Sequence, residues 1–230
     1  MNWEVIIKWL PRLAQGATLT LELVAIAVIA GLILAIPLGV ARSSRHWYVR
    51  ALPFGYIFFF RGTPLLVQLF LVYYGLAQFE AVRQSPLWPY LSSATFCTCL
   101  AFAINTSAYS AELLAGSLRS TPRGEVEAAR AMGMSRLTLY RRILLPSALR
   151  RALPQYSNEV LMMLQTTSLA SIVTLVDITG AAKTFNARYY LPFEAFITAG
   201  LIYLALTFML VRLFKLAERH WLAYLAPRKH

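Results

Sequence analysis

Leu23-Val24-Ala25-Ile26-Ala27-Val28-Ile29-Ala30-Gly31-Leu32-Ile33-Leu34-Ala35-Ile36-Pro37-Leu38-Gly39-Val40-Ala41 contains no charged side chain. A membrane helix needs about 20 mostly apolar residues, because the hydrocarbon core is ~30 Å thick and an α-helix rises ~1.5 Å per residue. The run meets that length when it starts near Ala17 and takes in Glu22. It is too long for the apolar region of a secretory signal, and Arg42 follows where a cleavage site would stand, so it reads as a retained span. The whole chain agrees: 58% of its 230 residues are hydrophobic and 14% are charged. Soluble domains average ~45–50% and ~25%. That composition excludes disorder, collagen and a disulfide scaffold, and it predicts an all-α polytopic membrane protein. A closed barrel would need alternating ten-residue strands, which are absent from the sequence.

Four further stretches complete the pattern. Ala51 to Phe79 holds one charge, Arg61, and Gln84 to Ala111 holds none. Val160 to Val176 is uncharged, with a helix expected to begin near Leu149, and Ala195 to Val211 is the fifth. Cys97 and Cys99 stand two apart in the third stretch, where a helix points them away from each other, so they read as packing residues.

Basic residues fix the orientation. Arg42, Arg45 and Arg50 follow the first span, and Arg119, Arg123, Arg130, Arg136, Arg141, Arg142, Arg150 and Arg151 fill the connection after the third. Arg212, Lys215, Arg219, Arg228 and Lys229 end the chain. The alternate segments hold only Lys8, Arg12, Arg83, Lys183 and Arg188. Cytoplasmic loops carry the Lys and Arg excess, so the N-terminus is expected in the periplasm and the C-terminus in the cytoplasm. The net charge of +12 is therefore topology and lipid contact. No separate basic domain or aromatic-interleaved patch points to nucleic acid.

Residues 119–151 are the one sizeable segment outside the spans. Pro122 suits a first helical position, with Glu125 and Glu127 in the first turns. Gly133 breaks the helix, Ser135 can cap a second one, and Pro146 ends the unit. Leu137, Tyr140 and Leu144 share a face of the second helix. Periodicity alone leaves open a docking element or a solvated connector.

Particular residues go further. Glu127-Ala128-Ala129, Gly133 and Ile143-Leu144-Leu145-Pro146 match at every fixed position the EAA signature of bacterial ABC-importer permeases. Phe60-Arg61-Gly62-Thr63-Pro64-Leu65-Leu66-Val67-Gln68 resembles the second-span motif of the polar amino acid (histidine-type) permeases. Ala111-Glu112, Arg119-Ser120-Thr121-Pro122-Arg123-Gly124-Glu125, Ser157-Asn158-Glu159 and Gln165-Thr166-Thr167-Ser168-Leu169 resemble other stretches of that group. Tyr156 to Val160 and Ala217 to Leu222 are especially similar to the M-type subunit of histidine and arginine/ornithine importers.

The resemblance implies the type I ABC-importer permease fold: one permease domain over residues 1–230, five membrane helices, and a cytoplasmic coupling segment at 119–149. It implies a homologous second permease subunit, two ATPase subunits and a periplasmic amino-acid-binding protein as partners in the bacterial inner membrane. Glu127, Ala128, Ala129, Gly133, Ile143, Leu145 and Pro146 would then dock the ATPase. Gly133 allows a turn without a Cβ, and the small alanines allow close approach. The chain has no phosphate-binding G-x-x-x-x-G-K-[ST] loop, so ATP and Mg would belong to the partner. No nucleophile elbow, metal-ligand cluster or resident cofactor is indicated, which argues against an enzyme.

Ionisable groups inside a membrane are costly and default to function. Helix rise puts Arg61 ~15 Å and Glu159 ~12 Å into the membrane. Gly62 and Pro64 beside Arg61 predict an interrupted helix, of the kind that offers free backbone groups to a substrate. Arg61, Thr63 and Gln68 could hold an amino acid's carboxylate. Glu159, supported by Asn158, Gln165 and Thr167, could hold a cationic side chain. The structural alternative is an Arg61–Glu159 ion pair. Glu22 and Glu112 lie nearer span ends and read as structural, while Asp177, Lys183 and Arg188 could touch the binding protein. The expected activity is ATP-driven import of basic L-amino acids (arginine or ornithine, with histidine or lysine) by alternating access. Opine or other polar amino acid permeases, or an ATP-independent channel, are the alternatives.

Overall fold

The computed structural model describes residues 3–222; Arg228, Lys229 and His230 fall outside them. Helix α1 (Trp3–Arg42) and helix α11 (Pro192–Trp221) are each long and apolar enough to cross a membrane. Between them run α2 (Trp47–Gly62), α3 (Leu65–Phe70), the short α4 (Glu80–Arg83) and α5 (Trp88–Leu91), then α6 (Ala94–Arg119). Next come α7 (Arg123–Ala131), α8 (Arg136–Leu139), α9 (Leu145–Thr166) and α10 (Ile178–Tyr189). Every described element is helical.

The principal interface joins α1 to α6. Ala27, Gly31, Ala35 and Gly39 are buried at four-residue intervals on α1 and meet small residues of α6. In lipid the hydrophobic effect does not drive helices together, so small residues that admit close backbone contact supply the packing. A Cβ on Gly39 would stand 3.0 Å from the carbonyl oxygen of Ala111. At the other end, Trp9 packs edge-on against Phe185 and Tyr189 and donates its indole N–H to the Ala181 carbonyl (3.2 Å). This seats α10 between α1 and α11.

Three of the expected spans differ from their apolar runs. Ala51–Phe79 is two pieces: α2, then α3 and its π and 3-10 continuation to Gln78, bent by 101°. The break falls at Thr63-Pro64, both in extended conformation. Pro64 has no N–H and its ring disfavours a helical residue before it. In the third run the helix begins only at Ala94, after Ser93, whose side chain caps it. In the fourth, α9 starts at Leu145 and stops at Thr166, followed by a 3-10 turn Thr167–Ile172. Thr166 and Thr167 hydroxyls donate to the Met162 and Leu164 carbonyls at 2.6 Å, diverting backbone acceptors from regular helix. Cys97 and Cys99 are free and buried.

The coupling segment also departs in detail. Pro122 is the N-cap of α7 and not its first residue. Pro146 does not end the unit, because Tyr140–Leu144 continues as a π turn into α9, whose first turn holds Pro146. Leu137 is exposed, and Leu139 takes its place on the buried face with Leu144. Asp177 is fully buried and cannot meet a binding protein from the surface. Its carboxylate caps α10 through Gly180 N–H (2.9 Å) and Thr179 N–H (3.2 Å) and accepts from the Tyr203 hydroxyl (3.0 Å).

Candidate translocation site

At the α2–α3 break the Phe60 carbonyl loses its helical donor, because it would receive the N–H that Pro64 lacks. Two side-chain amides replace it. Gln68 Nε2 donates to Phe60 O at 2.9 Å and Asn105 Nδ2 does so at 3.2 Å. Gln68 Nε2 also donates to Thr63 O (3.0 Å) and Thr63 Oγ1 (2.8 Å), while its Oε1 accepts from Asn105 (3.0 Å). Thr63 Oγ1 donates to Phe59 O (2.9 Å). Gln68 is buried and fully engaged in holding the break, so it is a strut of the site and not a wall.

That fixed break forms one wall of a cavity of about 340 Å³. Arg61 to Leu65 face Asn105, Thr106 and Tyr109 of α6, and Glu159, Met162, Met163 and Thr166 of α9. A second cavity of about 610 Å³ shares Arg61, Tyr109 and Glu159 and continues past Glu112, Gly116, Ser117 and Arg151 to Ser120. Together they follow α6 from Asn105 to Ser120, about 22 Å of helix at 1.5 Å per residue. The Arg61 guanidinium lies over the Tyr109 ring, 5.0 Å from its centroid. Arg61 and Glu159 are near enough for their charges to interact, yet among the described residues no ion pair joins them.

The remaining expected substrate residues are dispersed. Thr63 lines the first cavity. Asn158 and Gln165 are exposed and line neither cavity; on α9 they sit about 100–120° round the helix from Glu159. Thr167 is fully buried and bonded to Leu164 O. Asn105 and Tyr109 were not legible as site residues, although a polar Asn inside an apolar run was the available signal. Glu112 pairs with Arg42 (3.0 Å) and Arg119 (3.1 Å), joining the ends of α1 and α6.

Of the residues expected to dock an ATPase, Glu127, Ala128, Ala129 and Gly133 lie in a tight helical hairpin of α7 and α8, and Ile143, Leu145 and Pro146 lie beyond it, in the π turn and the start of α9. Gly133 has φ +71°, and Met134 N–H bonds to Ala129 O (3.2 Å) while Gly133 N–H bonds to Arg130 O (2.9 Å). This is a Schellman termination, in which glycine takes the left-handed position. Ser135 Oγ then accepts from Thr138 N–H to start α8. Ala129, Leu139, Leu144 and Ala148 bury against Leu114 and Leu118 of α6, with Ile143 and Leu145 partly buried beside them. Glu127 and Ala128 remain exposed. Arg151, counted in the sequence only for its charge, clamps the segment to α9. It donates to Ser147 Oγ (2.7 Å), Thr121 Oγ1 (2.7 Å) and Ser117 O (3.2 Å), and stands 3.7 Å from Glu125.

Residues 27–222 match the family described as "Binding-protein-dependent transport system inner membrane component". The chain belongs to that family. It is a non-catalytic permease subunit of a bacterial inner-membrane transport system. The chain is 49% identical to the octopine transport system permease protein of Rhizobium meliloti, over 94% of this chain and 86% of that one. It is 44% identical to the histidine/lysine/arginine/ornithine transport system permease protein of Escherichia coli K12, over 92% and 90%. A crystal structure of an amino acid ABC transporter with histidines superimposes with a TM-score of 0.83 at 30% identity, covering 96% of this chain and 99% of that one. The permease therefore has the type I ABC-importer fold.

Proposed function

We propose that this permease imports basic L-amino acids, arginine or ornithine foremost and histidine or lysine beside them, from periplasm to cytoplasm. One observation carries this reading: Arg61 and Glu159 line one cavity with opposite charges and no ion pair between them. A basic amino acid offers a carboxylate to Arg61 and a cationic side chain to Glu159, and each charge in the passage gains a partner during transport. The relative from Escherichia coli and the structure with histidines support the same class. The octopine and nopaline permease relatives favour a second reading, an opine substrate, whose extra carboxylate Arg151 in the lower cavity could meet.

The remaining roles follow the family. The subunit spans the membrane five times through α1, α2 with α3, α6, α9 and α11, with its N-terminus periplasmic and C-terminus cytoplasmic. It pairs with a homologous permease, receives substrate from a periplasmic binding protein, and docks one of two ATPase subunits, which hold ATP and Mg. Glu127, Ala128, Ala129 and Gly133 meet the ATPase, while Ile143, Leu145 and Pro146 carry its movement into α9. Glu159 lies eight residues beyond Arg151, about 12 Å along α9. Closure of the ATPases thus moves one wall of the cavity against the α2–α3 break.

The test is a competition panel on the reconstituted complex with its binding protein. Labelled arginine uptake should be blocked by ornithine or lysine and spared by citrulline, which keeps arginine's length without its charge. Selective block by octopine would favour the opine reading, and equal block by citrulline would remove Glu159 from recognition.

A further inference from the structure

A third cavity, of about 560 Å³, lies apart from the passage, between the α1–α2 connection, the end of α6 and α7. Arg45, Arg50, Arg119, Arg123 and Arg130 line it, opposed by one carboxylate, Glu127. Arg119 is engaged by Glu112. The other four arginines form no ion pair among the described residues. Like charges around one hollow repel each other unless a counter-charge enters.

The surroundings say which anion fits. Arg45 stands in the short α1–α2 connection and Arg50 in the first turn of α2, between two apolar helices, which in the membrane placement proposed above sets both at the level of the lipid headgroups. Trp47 and Tyr48 stand beside them, 72% and 64% exposed, as interfacial aromatics do. Along α2 from Arg50, Phe54 and Phe58 follow at four-residue intervals and present an exposed apolar face. Basic pockets between membrane helices on the cytoplasmic side are suited to anionic headgroups. A soluble phosphate would satisfy the arginines and leave that apolar face uncovered; a phospholipid satisfies both.

We propose that this cavity binds the phosphate head of an anionic phospholipid, with its acyl chains along α2. Arg123 and Arg130 belong to the coupling helix, so the bound lipid ties that helix to the membrane surface. Only the choice of leaflet rests on the cytoplasmic placement proposed above; the binding chemistry is independent of what is transported.

Native mass spectrometry of the full chain in detergent, offered phosphatidylglycerol and phosphatidylcholine with matched acyl chains, tests this without any transport readout. Each basic residue near an anionic headgroup is worth roughly fivefold in affinity. The unaltered chain should prefer phosphatidylglycerol by at least about tenfold. Arg45→Gln/Arg50→Gln should lose the preference; neither residue is in an ion pair, so the fold should survive. Arg212→Gln/Lys215→Gln, on the exposed end of α11, removes equal charge and should keep it. Millimolar inorganic phosphate should leave the lipid bound. Retained preference in Arg45→Gln/Arg50→Gln, equal loss in both double variants, or displacement by phosphate would each overturn the proposal. If the first variant does not fold, Arg123→Gln/Arg130→Gln is read by the same criteria.

Discussion

Pro64 withholds a backbone donor and Gln68 with Asn105 returns it, which explains why a buried amide stands beside a broken helix. Gln68→Leu keeps the bulk but strips the Thr63 carbonyl of its side-chain donor and leaves the Phe60 carbonyl to Asn105 alone. An unsatisfied buried polar group costs about 1–3 kcal/mol. The variant should therefore melt at a lower temperature in detergent, with transport lost in proportion to folded protein. Glu159→Gln should behave oppositely: it should melt normally and assemble with unaltered basal ATP hydrolysis, yet lose roughly 100-fold or more in affinity for arginine, as expected when one partner of a buried charge pair is removed. Normal arginine affinity in Glu159→Gln would make the carboxylate structural. Arg61 and Glu159 were legible in sequence because charge inside an apolar run has few harmless explanations. Gln68 and Thr167 were not separable from ligand-binding groups. Whether a polar side chain faces a cavity or its own backbone depends on where the helix breaks and ends, and those are tertiary facts.

At the level of elements, the hairpin α7–α8 is the segment proposed to dock the ATPase. Gly133 occupies a left-handed turn with open space where a Cβ would be, so its requirement is conformational. Gly133→Asn should be tolerated, and Gly133→Ala should cost about 1 kcal/mol of stability with coupling preserved. Gly133→Glu should insert into the membrane normally and abolish uptake, because the charged chain projects toward the docking partner. Normal substrate-driven ATP hydrolysis by that variant complex would contradict the docking role. Arg151→Met keeps the apolar stem and deletes the clamp, whose charged hydrogen bonds are worth about 1.5–3 kcal/mol. It should lower substrate-stimulated ATP hydrolysis ~10-fold or more while ATPase binding persists; unchanged stimulation would remove Arg151 from the coupling path. The turn was legible at Gly133 and Ser135, which act through local backbone chemistry, whereas Pro122, Pro146 and Leu137 took places that the assembled helices set. The 101° bend was legible as a break at Gly62 and Pro64 but not as an angle, because packing against α6 sets it. The clamp was hidden, as Arg151 meets Ser117, Thr121 and Glu125 only once three helices assemble.

Across the whole molecule, the asymmetry of basic residues is the basis for the proposed orientation, with the C-terminus in the cytoplasm. Ser92→Cys, on the exposed turn before α6, should react with an impermeant maleimide on intact cells, and Ser135→Cys should react only after permeabilisation. Native Cys97 and Cys99 are buried and should stay silent. External labelling at Ser135→Cys would invert the subunit. The helical class and the number of apolar stretches follow from composition and length, whereas the roles of neighbouring subunits lie beyond one chain. The most direct measurement is arginine entry into proteoliposomes that hold the assembled complex, with binding protein and substrate outside and ATP either trapped within or omitted. Accumulation above the external concentration only with trapped ATP, and its loss in Gly133→Glu, is the predicted result; equilibration without ATP, unaffected by Gly133→Glu, would contradict an ATP-coupled permease.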